Sequence, residues 1–309
     1  MKNEENDEKL VVNEEDKEVD ATSGKLKLIT AIIYIAFIIS IALVILGMVK
    51  FFFTETKDYK VYQKYGKTKT ISESGNFKVY EGKDKDTNEI VFIKELQPTT
   101  NRTKENINEE VRYIELFNKS SHSIDYIEKF EEDNIVFIVT KSWDGSLANY
   151  LDKSKGFNID EIKIVMDQLN EVLSEMRKQY IVLNDINLEN IYVKFKENTT
   201  KEFNIKLYDY ENAKNLTNEN ATESEKNDLY HLGLTMYEMY FKNKNGNETE
   251  MKKNITDLSD KDFQDILNKT LVNNSTERIS WDKYTDHAFF NITGITYDKV
   301  ENIVKNKNN

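Results

Sequence analysis

IVLNDINLENIYVKF, residues 181–195, and FNIKLYDYENA, residues 203–213, are two short apolar segments separated by a polar loop. Between them they carry Asp185, Asn190 and Asp209. Two carboxylates and a carboxamide at that spacing offer one proton acceptor and oxygen ligands for a hard divalent cation. Asn and Asp abound in this chain, so the reading depends on whether other landmarks follow in order.

They do, and the pattern resembles the eukaryotic-type protein kinase family. That family carries H-R-D-x-x-x-x-N in its catalytic loop and D-F-G at its metal-binding turn. Here Leu183-Asn184-Asp185 stands for the first and Asp209-Tyr210-Glu211 for the second. The resemblance implies that Asp185 is the catalytic base, that Asn190 and Asp209 hold Mg²⁺, and that ATP is the phosphate donor. It also implies an α+β, two-lobed protein-kinase-like fold, with a small β-rich lobe and a large helical lobe, after one N-terminal transmembrane helix.

The membrane helix is read from composition. From Leu28 to Val49 the chain runs LITAIIYIAFIISIALVILGMV without a charge, long enough at 1.5 Å per residue to cross a core of about 30 Å. A cleaved signal peptide would have a short basic start and a shorter apolar run. Residues 1–27 instead form an acidic tail of the kind that stays disordered. Lys25 and Lys27 precede the helix amid acids, whereas Lys50, Lys57, Lys60 and Lys64 follow it, which puts the kinase-like domain on the cytosolic side of a single-pass membrane protein. Sequons at Asn101, Asn198, Asn215, Asn220, Asn247, Asn254 and Asn291 would matter only for the opposite orientation.

The rest of the composition narrows the class. Among 309 residues there are one Pro, 10 Gly and no Cys, so disulfides and thiolate chemistry are excluded and Gly-built phosphate loops have few places to form. The formal net charge of −12, with no basic stripe, argues against nucleic acid as a partner. His122, His231 and His287 share no metal-ligand spacing. The expected organisation is a tail at 1–27, the transmembrane helix at 28–49, a linker at 50–58, a small lobe at 59–140, a large lobe at 141–302 and a tail at 303–309.

Working outward, KVYQKYGKTKTISES, NFKVYEGKDK and EIVFIKEL alternate like strands of the small lobe. Aligning Val79 with the Val of the family's G-x-G-x-x-G-x-V loop sets Ser72, Ser74 and Phe77 at the three glycine positions, with only Gly75 nearby. Val91-Phe92-Ile93-Lys94 resembles V-A-I-K, which implies that Lys94 contacts the α- and β-phosphates. Glu110, in a helix spanning Asn108 to Lys119, would hold Lys94, with Glu109 the alternative. Val139 is the expected gatekeeper, and the main chain of Thr140 to Ser142 would bind adenine beside Val79.

In the large lobe, Asn158 and Glu161 make a capping box for a helix whose apolar face is Ile162, Val165, Leu169, Val172, Leu173 and Met176. A further helix is expected to open at Asp228, which resembles the Asp of D-V-W-S-L-G. Arg278-Ile279-Ser280 and His287-Ala288-Phe289-Phe290 resemble the motifs that close the domain. The resemblance covers roughly Tyr59 to Phe290.

Several positions depart from the family. Phe92 replaces a small Ala that packs on adenine, so its ring is expected to enter the nucleotide pocket; a kinase family named for Phe-Ile-Lys-Lys shares this Phe. Asn184 replaces the Arg that receives an activation phosphate, Asn187 the catalytic-loop Lys, and Glu211 the D-F-G glycine. No A-P-E lies between Asp209 and Asp228, which removes the usual peptide platform and the Glu partner of Arg278. The resemblance therefore leaves open an ATP- and Mg²⁺-dependent Ser/Thr protein kinase of weak or atypical activity, a pseudokinase scaffold or allosteric module with a protein partner, and a small-molecule kinase.

Overall fold

Rough alternation along the strands that follow residue 65, and 3.6-residue periodicity beyond residue 158, divide the domain into a sheet and a helical body. The computed structural model describes residues 27–44, 59–74, 77–154, 156–196, 202–216, 221–243 and 247–295. The chain forms two units, Met1–Asp58 and Tyr59–Asn309.

In the first unit, α1 (Lys27–Val44) has a mean hydropathy of 2.5 and is long and apolar enough to cross a membrane. Residues 45–49 of the expected helix, the linker 50–58 and most of the acidic tail lie outside the described residues, as do 303–309.

The second unit opens with a correction. The segment read as strand from Lys60 forms a short helix, α2 (Lys60–Lys64), before β1 (Tyr65–Ser74) begins. The turn lets Val61 bury completely and brings Tyr59 to Phe137, ring centroids 5.0 Å apart. Tyr62 also donates a hydrogen bond to Glu95, 3.0 Å. A side chain the size of Val61 gains about 1.5–3 kcal/mol by such burial, enough to outweigh the β preference of one turn.

β2 (Phe77–Asp84), β3 (Ile90–Leu96), α3 (Lys104–Phe117), β4 (Tyr126–Glu132) and β5 (Ile135–Lys141) complete the small lobe. The sheet order is β1-β2-β3-β5-β4, all antiparallel. Its outer face packs Tyr65, Tyr80, Val91, Ile93, Phe137 and Val139 with Val61. Its inner face gives Val79, Phe92, Leu96, Val136 and Ile138 to the main core, where α3 adds Ile107, Val111, Ile114 and Phe117. Thr103 and Asn106 cap α3 reciprocally.

This pleat corrects the gatekeeper. Val139 pairs with Ile93 and belongs to the outer cluster, while Thr140 pairs with Phe92. Because side chains alternate with period 2, the cleft-facing residue is Thr140; a shift of one residue exchanges the faces.

A turn at Gly145 leads through β6 (Gly145–Ser146) into α4 (Leu147–Lys153), which Ser146 and Asn149 cap. Gly145 has φ +153°, and a Cβ there would meet Tyr150 at 3.1 Å. The Asn158–Glu161 capping box opens α5 (Ile159–Lys178), and the six expected apolar residues of its face are buried. β7 (Ile181–Val182), β8 (Ile191–Phe195), β9 (Phe203–Leu207) and β10 (Lys214–Asn215) carry the catalytic segments.

α6 (Ala221–Phe241) starts well before Asp228. ATESEKN contains good helix formers and no Gly or Pro, so nothing stops the helix from extending N-terminally. Asp228 is therefore an interior residue of α6 and not its cap. Gly233 lets α6 approach the next layer: a Cβ there would lie 2.5 Å from Thr270. α7 (Glu248–Thr256), α8 (Lys261–Thr270), α9 (Trp281–Thr285) and a 3₁₀ turn, Ala288–Phe290, close the lobe.

Candidate active site

The antiparallel pairing of β8 with β9 matches Ile191 to Leu207. Tyr208 N–H then donates to the Asn190 carbonyl, 3.0 Å, so Asn190 at the start of one strand lies beside the Tyr208–Asp209 segment at the end of the other. A pairing distant in sequence thus gathers the two expected metal ligands. Asn190 Nδ2 turns to Asp185, 3.3 Å from its carbonyl and 3.2 Å from Oδ2. Asn190 Oδ1 and Asp209 Oδ2 accept no hydrogen bond from the described residues, and these oxygens are the donors available to a divalent cation.

Asp185 also accepts from Asn187 Nδ2 at 2.8 Å and from Asn212 Nδ2 at 3.4 Å. Asn187 Oδ1 takes the N–H groups of Glu189 and Asn190, 2.9 and 3.1 Å. Where the family has a Lys for the moving phosphoryl group, this chain has an amide that braces the loop against its own Asp. Asn184 sits at φ +60°, a left-handed conformation that Asn tolerates.

Asp228 reaches across from α6 and accepts both Leu183 N–H (3.0 Å) and Asn184 N–H (2.8 Å). Burial outweighs these bonds and pushes its carboxyl up to about 6.

Above the loop, Lys94 Nζ lies 2.7 Å from Glu110 Oε1 and 3.3 Å from Asp209 Oδ1. Glu109, the alternative partner, is exposed and pairs with Arg112 on its own helix. Burial works against the Lys94 charge, but Asp209 and Glu110 overcome it and raise its pKa. Burial likewise disfavours the Asp209 carboxylate, yet Lys94 and the Glu211 N–H hold its pKa below the ordinary value. Behind this group, Phe117 and Tyr210 stack with centroids 6.1 Å apart, and Tyr210 shares a 2.8 Å hydrogen bond with Ser123. Ile114 and Leu183 are buried in the same core.

The sequence profile described as Protein kinase domain matches residues 65–290. The chain belongs to the protein kinase family. No curated protein matches the chain in sequence.

Within this kinase domain four aromatic rings pack together at the cleft. The Phe92 ring meets Trp143 at 4.2 Å, and Trp143 in turn meets Tyr192 at 4.3 Å and Tyr208 at 4.6 Å. Tyr192 and Tyr208 close the group at 4.9 Å. Trp143 is 9% exposed and Phe92 6%. Val79 lies in the same core, Thr140 is buried opposite Phe92, and Ser142, half-buried, directly precedes Trp143. The expected adenine-binding residues Val79, Thr140 and Ser142 therefore adjoin a cluster of the kinase domain's own rings.

On the phosphate side the glycine positions of the family fall within a strand pair. Ser72 pairs with Val79 and Ser74 with Phe77 in a continued hairpin; Gly75 lies outside the described residues. The Phe77 ring lies 5.2 Å from Lys94 Nζ, and Lys94 is 3% exposed.

Sequence reasoning missed Trp143, Tyr192, Tyr208 and Arg102. The signal for the first three was present, since each aromatic flanks a motif and Phe92 already announced a ring in the pocket. Arg102 is the one basic residue between β3 and α3, but its partners are remote in sequence.

Arg278, whose family partner is the missing Glu of A-P-E, instead donates to the carbonyls of Val272, Asn273 and Lys226. The Tyr230 ring lies 4.8 Å from its guanidinium carbon.

Proposed function

We propose that this chain is a membrane-anchored, kinase-fold binding module, a pseudokinase that presents an assembled kinase core to a protein partner. The observation that carries the reading is Trp143 packed among Phe92, Tyr192 and Tyr208. Close-packed interiors have no spare volume for an adenine without expelling a ring. The buried Lys94, the Phe77 ring over it and the absence of A-P-E support the same conclusion.

α1 supports single-pass anchoring, and the Lys-rich segment after it supports a cytosolic domain. Protease added to sealed vesicles should then digest the domain only from the cytosolic face; protection there would reverse the orientation.

A second reading, slow ATP- and Mg²⁺-dependent phosphotransfer to Ser or Thr, is favoured by the ion pairs of Lys94 with Glu110 and Asp209. In that reading Asp185 is the base, Lys94 and Glu110 serve the phosphates, and Asn190 and Asp209 hold the metal. Val79, Thr140 and Ser142 would line the nucleotide site once Trp143 had left it.

Thermal unfolding of the full chain in detergent micelles, with and without millimolar MgATP, separates the two. A ligand that binds only the folded state raises stability by RT ln(1 + [L]/Kd). The binding-module reading expects no shift in the native chain and a gained shift in Trp143→Ala. A shift in the native chain that is lost in Asp209→Ala, with phosphate transfer lost in Asp185→Asn, would establish the enzyme instead.

A further inference from the structure

Three acidic and two basic side chains line the floor of the cleft. Asp209 meets Lys94 at 3.3 Å, Lys94 meets Glu110 Oε1 at 2.7 Å, and Glu110 Oε2 bonds Arg102. Arg102 Nη1 lies 3.1 Å from Glu211 Oε2, an ion pair without hydrogen-bond alignment, and Glu211 N–H returns to Asp209 Oδ1 at 3.0 Å. The circuit is closed and joins β3, the start of α3 and the turn after Asp209.

Burial makes the circuit consequential. The side chains of Lys94 and Arg102 are 3% exposed and that of Glu110 is 0%. A buried carboxylate needs compensation at both oxygens, and Lys94 serves only one of Glu110's. Arg102 serves the other. It also meets Glu211, whose pKa is raised by burial, a rise that Arg102 only partly offsets. Without Arg102, Glu211 would add an unshared negative charge beside Asp209 and Glu110.

The root of Arg102 is rigid. Its carbonyl accepts from Thr99 N–H at 2.8 Å, its own N–H donates to Thr99 Oγ1 at 3.1 Å, and the next residue, Thr103, caps α3. Its planar fork can face two carboxylates at once, which an ammonium cannot do.

We propose that Arg102 is a positioning residue that keeps α3 and the Asp209–Glu211 turn docked with no nucleotide, metal or activation phosphate. Glu211, at the position of the family's glycine, is its second anchor. The inference rests on the ion circuit and not on the filled adenine site.

Amide hydrogen exchange on the full chain in detergent micelles, with EDTA and without nucleotide, tests it. Exchange in α3 reports undocking, and exchange in α5, which has no member in the circuit, serves as the internal reference. Arg102→Gln and Glu211→Gln should each raise exchange in α3 about tenfold and leave α5 unchanged. Glu211→Gln added to Arg102→Gln should add nothing further, because the two groups act as one unit. Arg102→Lys should fall between native and Gln. Unchanged α3 exchange in Glu211→Gln, equal rises in α3 and α5, or a double variant equal to the product of the singles would each overturn the proposal. Should Arg102→Gln not fold, Glu211→Gln decides alone, since that side chain is 30% exposed and tolerates the change.

Discussion

The ring of Phe92 meets that of Trp143 edge to face, centroids 4.2 Å apart with an interplanar angle of 75°, and the contact crosses between the lobes of the kinase domain. Phe92 belongs to β3, whereas Trp143 lies beyond the end of β5 and packs on Tyr192 and Tyr208 of the large lobe. Edge-to-face pairs add about 0.5–1.5 kcal/mol to the burial of each ring. The lobes are thus bridged by packed aromatic side chains.

Phe92→Ala should therefore destabilise the domain. Removing a buried Phe typically costs about 3–5 kcal/mol, part of it from the cavity left behind. Chemical denaturation followed by Trp fluorescence measures this loss. A cost below about 1 kcal/mol would show that the ring is not packed as described.

Lys94→Met should be more damaging than a routine loss of kinase activity. It leaves Glu110, fully buried, with only Arg102, and Asp209, 15% exposed, without its cation. Breaking a buried pair by removing one partner costs about 3–5 kcal/mol. Lys94→Met/Glu110→Gln should recover part of that loss, and equilibrium unfolding of the four proteins reads the coupling.

Asp228 sets a pH dependence. Its folded-state pKa of about 6 lies above the ordinary 3.8, so between those values the folded protein holds a proton that the unfolded chain has lost. Its contribution to stability is present at acid pH and falls as pH rises through about 6. Asp228→Asn cannot titrate, so the melting temperature of the native chain relative to that variant should drop between pH 5 and pH 7. Over that interval the difference corresponds to on the order of 1 kcal/mol. A constant gap across this range would refute the assignment.

Arg278→Lys should destabilise the end of the large lobe. A guanidinium serves the carbonyls of Val272, Asn273 and Lys226 together, and an ammonium cannot reach all three. Each part-buried hydrogen bond lost costs about 0.5–1.5 kcal/mol. The measurement is the unfolding midpoint, with amide exchange in the loop after α8 showing where the loss is felt.

The legible part of this protein was local. The spacing of Asp185, Asn190 and Asp209, the β3 strand ending in Lys94, the Glu ahead of the α3 face and the capped apolar stripe of α5 depend on periods of two or 3.6 residues and on short motifs. Such patterns are written into consecutive residues. They were enough to specify a kinase fold and the residues at its cleft.

What tertiary structure alone decided were choices between partners distant in the chain. Whether Val139 or Thr140 faces the cleft depends on how β5 pairs with β3, because one residue of register reverses every side chain. Whether Trp143 points to solvent or inward depends on rings from β3 and from either side of the β8–β9 hairpin meeting around it. Glu211 was legible only as a replacement for the D-F-G glycine until folding brought Arg102 near it, and Asp228 looked like a helix cap until α6 extended past it. In each case the deciding energy is burial or charge pairing between elements, which exists only once those elements are packed together.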